Sequence, residues 1–312
     1  MRKVEFLYNP NAGNLRIRGL LDIVIRKFQQ AGFTIGIHRS MGKGDMADYI
    51  TTQITNGNTD LLVVSGGDGS VNEVVNAMMK QGLSTPLGLL PFGTANDFST
   101  LLGMPQEIEA ACDAILEMNV KPVDVGMVNG HYFVNVCSAG LFTSVSHTID
   151  VNLKNRFGKM AYYVKGLEQL QSYQPMHLSF ETEKGTIEEE VSLFLIFNGK
   201  SAGGFDQLAK YALIDDGLLE LVIIKAVAVH EILPLFIKVL QGEHLKDSNV
   251  HYLQVPSVTV TCHDEECVIS DIDGEPGPEF PLNVQAIQHK LNVCINLNHA
   301  QKNEGLSQKI HK

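Results

Sequence analysis

Four short apolar runs, Val4–Tyr8, Phe33–Ile37, Leu61–Val64 and Leu87–Pro91, are each separated from the next by a helix-length stretch. Strands joined by helices in this way pair side by side in parallel, with the helices covering the faces of the sheet. The first interval carries Ile17, Leu20, Leu21, Val24 and Phe28 at helical spacing, and Gly32 marks its end. In the second, Asp45 is the expected N-cap of a helix bearing Met46, Ile50 and Ile54, closed by Gly57. The expectation is an α/β N-terminal domain over residues 1–124, built on a parallel, helix-covered sheet. Such sheets bind ligands at the carboxyl ends of their strands.

Three loops fall at those ends: Asn9 to Gly13, Gly66 to Ser70, and Phe92 to Asp97. The middle one reads Ser65-Gly66-Gly67-Asp68-Gly69-Ser70-Val71-Asn72-Glu73, between a buried strand pattern and a helix. Its glycines let a ligand approach the backbone closely, and the helix N-terminus beyond offers unpaired N–H groups that suit phosphate. A carboxylate beside phosphate, here Asp68, makes chemical sense when a divalent cation lies between them. The plainer alternative is a tight strand-to-helix connection. Thr94, Asn96 and Asp97 in the third loop could likewise be simple caps. Three such loops on one sheet edge favour a shared site over three coincidences.

Composition narrows the class. The chain has 312 residues, a formal net charge of -11 and five cysteines. That acidity argues against a nucleic-acid binder, and any attraction to an anionic membrane must come from a local patch. No run is long and apolar enough for a transmembrane helix, and no signal peptide is read at the N-terminus. The cysteines are odd in number and scattered, which fits a reducing cytoplasm. Cys262 and Cys267 flank His263 and three acids, but their spacing matches no paired zinc motif.

Beyond Lys121 the pattern changes. Val123–Val128, Asn129-Gly130 and Tyr132–Val136 read as a hairpin, and the strand runs His177–Glu181, Glu190–Phe197, Leu218–Ile224, Ser257–Val260 and Leu291–Ile295 follow. Only the segment from Val229 to Leu240 reads as a long helix, with Pro234 in its early part. The expectation is a β-rich, antiparallel C-terminal domain over residues 125–312, whose last strand is free to return to the first domain. The basic, aromatic segment Lys154–Lys165 suits a lipid surface or a solvated helix face equally. Two acidic clusters complete the inventory. Asp215-Asp216-Gly217 is a hairpin turn or a hard-cation site. Asp271-Ile272-Asp273-Gly274-Glu275 is a turn or a source of a general base.

Taken in order, Asn9-Pro10-Asn11-Ala12-Gly13, Gly66-Gly67-Asp68-Gly69-Ser70 with Asn72-Glu73, Gly93-Thr94-Ala95-Asn96-Asp97-Phe98, Asp124, Asp215-Asp216-Gly217 and Asp273-Gly274-Glu275 resemble the diacylglycerol-kinase-type catalytic fold. Bacterial lipid kinases, sphingosine kinases and ceramide kinases share it. The glycine turn alone also occurs in NAD kinases and phosphofructokinases; the Gly-Thr-Ala-Asn-Asp-Phe segment is more specific. The resemblance implies ATP held by Asn9, Pro10, Asn11, Ala12 and Gly13, by Gly66, Gly67, Asp68, Gly69, Ser70, Val71 and Asn72, and by Ser40, Thr94, Asn96 and Asp97. It implies Asp68 and Asp97 at a catalytic Mg²⁺, and Asp216 with the carbonyls of Leu213 and Leu218 at a second, structural Mg²⁺. Asp273 and Glu275 match the pair that supplies the general base, and Asp124 the acid supporting it. It further implies a lipid alcohol as acceptor, diacylglycerol or a relative, with transient contact at the inner membrane leaflet by a cytoplasmic, peripheral enzyme, and a homodimer. Two positions depart from the pattern: Asn14 replaces a lysine, with Arg16 or Arg18 as candidate substitutes, and Lys210 replaces a proline. An NAD-kinase-like enzyme and a nucleotide- or lipid-binding regulator are the competing readings.

Overall fold

A computed structural model of the chain describes residues 2–13, 17, 19–141, 174–200, 209, 212–228, 230–232, 234–235, 238 and 242–297. The segment 154–165, Asn14, Arg16, Arg18, Lys210 and the tail from residue 298 lie outside them. The chain forms two compact units, Met1–Val123 with His289–Lys312, and Asp124–Gln288.

In the first unit β1 (Arg2–Tyr8), α1 (Leu21–Gln30), β2 (Phe33–Arg39), α2 (Asp45–Gln53), β3 (Leu61–Gly66), α3 (Asp68–Gln81) and β4 (Leu87–Pro91) alternate, followed by α4 (Asp97–Leu101) and α5 (Ile108–Leu116). The strands lie in the order β4-β3-β1-β2, and every neighbouring pair is parallel. Val4, Phe6, Leu62, Val64 and Leu89 are wholly buried between the helical layers. That is why these strands read as continuous apolar runs, without the alternation of a one-sided sheet. Helix α1 starts later than its apolar spacing suggests, because Ile17 is buried in a turn whose carbonyl accepts the Leu20 amide at 3.0 Å.

The N-terminus of α2 also differs from expectation. Gly44, at φ +90°, is the N-cap, and Asp45 is the first helical residue. The Asp45 carboxylate instead turns back to the Met41 amide at 3.1 Å and to His38 Nε2 at 2.7 Å. The missing cap comes from α3, where Glu73 Oε1 accepts the amides of Met46 at 2.8 Å and Ala47 at 3.0 Å. A carboxylate at a helix N-terminus also meets the positive end of the helix dipole.

The second unit is antiparallel throughout its described strands. It comprises most of β5 (Val120–Val128), then β6 (His131–Phe133), β7 (Val136–Gly140), β8 (Met176–Thr182), β9 (Gly185–Phe197), β10 (Leu219–Lys225), β11 (Val250–Val255), β12 (Ser257–Cys262), β13 (Asp271–Ile272), β14 (Glu275–Pro276) and the first half of β15 (Leu282–Cys294). Asn129 at φ +45° and Gly130 at φ +84° make the tight β5–β6 turn that their sequence predicts. Strand β9 is the hub. Its first half pairs with β8, and its second half pairs with both β7 and β10. Within the predicted helix Val229–Leu240 the described residues 230–232, 234, 235 and 238 are helical. Two of the five cysteines, Cys262 and Cys267, are joined in a disulfide, while Cys112, Cys137 and Cys294 are buried free thiols.

Candidate functional site

The sheet order of the first unit brings four loops to one edge. Asn9 follows β1, Ser40 follows β2, Gly67 follows β3 and Phe92 follows β4. Ladder bonds continue past the strand ends and fix these loops to one another. The Asn9 amide donates to Ser65 O at 2.9 Å, the Ser40 amide to Tyr8 O at 2.9 Å, and the Phe92 amide to Gly66 O at 3.2 Å. Side chains add further ties. Asn9 Nδ2 donates to Ser70 Oγ at 3.3 Å, and Asn9 Oδ1 accepts the Asn11 amide at 2.9 Å, which curls the first loop back over its own strand. Ser40 Oγ donates to Gly42 O at 3.0 Å.

The two glycine-bearing loops touch through their backbones. A Cβ on Gly67 would stand 3.2 Å from the Gly93 Cα, and one on Gly93 would overlap the Gly67 Cα and approach Asn96 Oδ1 to 2.7 Å. The Gly93 position admits no Cβ at this separation, and the Gly67 position leaves little room for one. Asp68 then locks the loops together. Its Oδ2 accepts the Asn96 amide at 2.9 Å and its Oδ1 the Asp97 amide at 2.8 Å. Asn96, in the left-handed region at φ +55°, closes the turn with its own side chain, accepting the Gly93 amide at 2.6 Å and donating to Gly93 O at 3.1 Å. Asn96 and Asp97 are buried, whereas Thr94, Asn11 and Gly69 are exposed and Ala12, Gly13 and Asn72 half-buried. Pro10 and Val71 are buried and complete the set.

Beside this edge, Glu5 on β1 is buried. It accepts the Tyr49 hydroxyl at 2.8 Å and pairs with Lys3 at 2.9 Å. Burial, then the hydrogen bond and charge of Glu5, push the Tyr49 phenol up to about 12. Tyr49 stacks on His38, with ring centroids 4.1 Å apart. The Met41 amide and the His38 ring hold the Asp45 carboxyl below the usual carboxylate range.

In the second unit the predicted acids form two groups. Asp124 is buried, and its Oδ2 accepts the Gly217 amide while its own amide donates to Ile214 O, both at 2.7 Å. Asp216 Oδ1 accepts the Leu218 amide at 3.0 Å, and Leu213 is 47% exposed. Loss of surrounding water raises the Asp216 carboxyl above its ordinary range, and the charges of Asp124 and Asp215 add to the rise. The other group is the β13–β14 hairpin, whose turn is Asp273 at φ +51° and Gly274 at φ +87°. Asp271 is buried and caps the turn, its Oδ1 accepting the Gly274 amide at 2.9 Å. Asp273 reaches out of the hairpin to the chain before β7. Its Oδ2 accepts the Val134 amide at 2.8 Å, and its Oδ1 the amides of Asn135 at 3.0 Å and Val136 at 2.8 Å. Glu275, on the far arm opposite Ile272, is half-buried.

Comparison with known proteins places this architecture. Residues 3–128 match the family model of the diacylglycerol kinase catalytic domain, and residues 135–295 match that of the YegS C-terminal NAD kinase beta sandwich-like domain. A diacylglycerol kinase of Bacillus subtilis is 34% identical over 296 residues, covering 95% of this chain and 97% of its own. The chain belongs to the diacylglycerol kinase family of lipid kinases. A diacylglycerol kinase of Staphylococcus saprophyticus is 31% identical over 292 residues, 94% of this chain and 95% of its own. The crystal structure of a Bacillus anthracis str. Sterne protein provisionally called a diacylglycerol kinase superposes with a TM-score of 0.80 at 28% identity, covering 95% of each chain.

Family membership directs attention to how well these residues suit the groups that a kinase handles. The N-terminus of α3 offers helix-end amides of the kind that suit phosphate, while the amides of Asn11, Gly93, Asn96 and Asp97 beside it are taken by the side chains of Asn9, Asn96 and Asp68. Among the described residues no three His, Cys, Asp or Glu side chains converge as a ready metal cage. The donors at Asp68, Asp97 and Asp216 are nonetheless hard oxygens, and a divalent cation would relieve the crowding of Asp216 by Asp124 and Asp215. Sequence reasoning passed over Glu73 as a helix cap, and over Asp271 and Asn198. Glu73 and Asp271 lie inside motifs whose residue types mark a loop or turn without marking these caps. Asn198 ends the apolar run of β9 with nothing in its own type to single it out.

Proposed function

We propose that this lipid kinase transfers the γ-phosphoryl group of ATP, with Mg²⁺, to the hydroxyl of diacylglycerol or a closely related lipid alcohol. The observation that carries the reading is the Asp68 clasp. It fixes the Gly67 and Gly93 backbones against each other at the N-terminus of α3, a helix end whose unpaired N–H groups suit a polyphosphate. Bound Mg²⁺ would neutralise charge on the transferring group, with Asp68 and Asp97 as its protein ligands and Asp216 with the Leu213 and Leu218 carbonyls at a second ion.

The remaining chemistry belongs to the chain. Asn9, Asn11, Ser40, Ser70, Asn72 and Thr94 orient the nucleotide through hydroxyl and amide groups, alongside the backbones of Pro10 to Gly13 and Gly66 to Val71. A lipid hydroxyl must lose a proton as transfer proceeds, and a carboxylate within hydrogen-bond reach accepts it. Of the acidic pair, Asp273 spends both oxygens on three backbone amides, so taking a proton there would sacrifice those bonds. The reading therefore gives the proton to Glu275, makes Asp273 the anchor of its turn, and makes Asp124 a brace for the Asp216–Leu218 loop.

Because the acceptor is a lipid, the enzyme meets its substrate at a membrane surface, taken to be the inner leaflet. Among the described residues no helix is long and apolar enough to cross a membrane. The decisive experiment supplies radiolabelled ATP and Mg²⁺ with diacylglycerol, sphingosine-like and polyprenol lipids in micelles, beside NAD in buffer. Label in diacylglycerol, abolished by Glu275→Gln, is the expected result. Label in NAD, or full activity of Glu275→Gln, would overturn the reading.

A further inference from the structure

Strand β9 ends at Phe197, and the two strands flanking its second half meet it there. Val136, the first residue of β7, pairs with Phe197 from one side, and Glu220 of β10 pairs with it from the other. Val136 and the two residues just before β7, Val134 and Asn135, supply the three amides that hold Asp273. The chain just before β10 is the Asp216-Gly217-Leu218 loop, which Asp124 braces through the Gly217 amide. Asn198 follows Phe197 and so stands at the junction of both.

Its bonds reach each side. The Asn198 amide donates to Asn135 O at 2.9 Å. Its side-chain Nδ2 donates to Asp124 O at 2.8 Å and, at the longer distance of 3.4 Å, to Val134 O. One carboxamide thus grips the backbone of the bracing acid and the backbone segment that grips Asp273. The orientation is forced, because turning the amide over would set its oxygen against two carbonyl oxygens. Asn198 is 1% exposed, and its Oδ1, so directed away, has no hydrogen-bond donor among the described residues. A buried acceptor left without a donor weakens a fold. Packing alone would be served better by an apolar side chain, so what the asparagine contributes lies in its donor group.

We infer that Asn198 is a positioning residue for phosphoryl transfer, setting the Asp124–Gly217 brace and the amide cradle of Asp273 in fixed register. This inference rests on the proposed roles of Asp273 and Glu275. Asn198 acts through its neighbours and touches no reacting atom.

A double-mutant cycle on the full-length enzyme, assayed with Mg-ATP and diacylglycerol in mixed micelles, tests it. Asn198→Ala is expected to lower kcat by roughly tenfold or more while KM for ATP stays within about twofold, since the brace and the cradle loosen and the loops of the first unit keep their own ties. In an Asp273→Asn background the same change should cost a clearly smaller factor, because the part of its effect that runs through the cradle is already lost. A loss of equal factor in both backgrounds would reduce Asn198 to general packing and overturn the inference, as would unaltered kcat in Asn198→Ala. Should the alanine variant fail to fold, Asn198→Ser, which keeps a shorter donor, enters the same cycle with the same criteria. Wild-type kcat in Asp273→Asn would instead strike the underlying reading of the acidic turn, and the inference with it.

Discussion

Asp68 Oδ2 accepts the amide of Asn96 at 2.9 Å, across twenty-eight residues of sequence, at a point where Asn96 holds a left-handed backbone. With the companion bond to Asp97, this makes the glycine turn and the start of α4 one object. Asp68→Ala removes two charge-assisted acceptors and leaves two amides unpaired, which costs about 2–4 kcal/mol of unfolding free energy. Nucleotide affinity should fall with it by roughly tenfold or more, because the loops no longer hold their spacing. Paired urea melts and ATP-binding isotherms check both, and an Asp68→Ala protein of native stability would contradict the clasp.

Gly93→Ala places a methyl group against the Gly67 backbone. Overpacking of this kind costs about 1–3 kcal/mol, and here the strain falls on the two loops proposed to hold the nucleotide. Gly19 is a control of the same chemistry, with open space around it and an ordinary backbone, and Gly19→Ala should melt like the parent. Thermal melts of the two variants, with and without Mg-ATP, separate crowding from loss of glycine as such.

Tyr49 gives a pH dependence of definite sign. Its folded value of about 12 lies above that of an unfolded tyrosine, about 10, so folding favours the protonated phenol. This contribution is complete below about pH 10 and is lost as pH rises toward the folded value. Tyr49→Phe should therefore be less stable than the parent near neutrality, lacking the bond to Glu5, yet show a flatter decline above about pH 10. Urea unfolding at stepped alkaline pH measures the two slopes.

The cysteines predict a stoichiometry. Cys112 and Cys294 are buried with thiols pushed up to about 12, and burial raises Cys137 further. Thiolate is the reactive form, so a colorimetric thiol reagent should label the native enzyme slowly at neutral pH. In denaturant it should find the three free thiols, and after reduction all five. Five without reduction would contradict the Cys262–Cys267 bond.

Much of the first unit was legible because its signals are local. The β1, β3 and β4 runs are apolar on both faces, and the loops carrying Asn9, Gly67 and Asn96 use residue types that turns require. What escaped was long-range. Nothing near Met46 announces that Glu73 caps its helix, and Asp45 looks like a cap while serving Met41 and His38. Strand β11 stayed hidden because His251 to Gln254 are half-exposed, with no clean alternation. Most of β15 was missed because the polar run His289-Lys290 interrupts its pattern where His289 takes φ +51°. The acids of the second unit were recognisable by type, but the three amides of Val134, Asn135 and Val136 that hold Asp273 are remote in sequence.

Strand β15 begins in the second unit, where Val284 pairs with Val258, and ends in the first, where Val293 pairs with Leu87. The two units are therefore not separable modules. Translation of the first is unfinished until the chain has traversed the whole of the second, so neither a fragment stopped at Val123 nor its complement would be a self-sufficient product. Any dissection of this enzyme into its two units must first graft residues 289–297 onto the first.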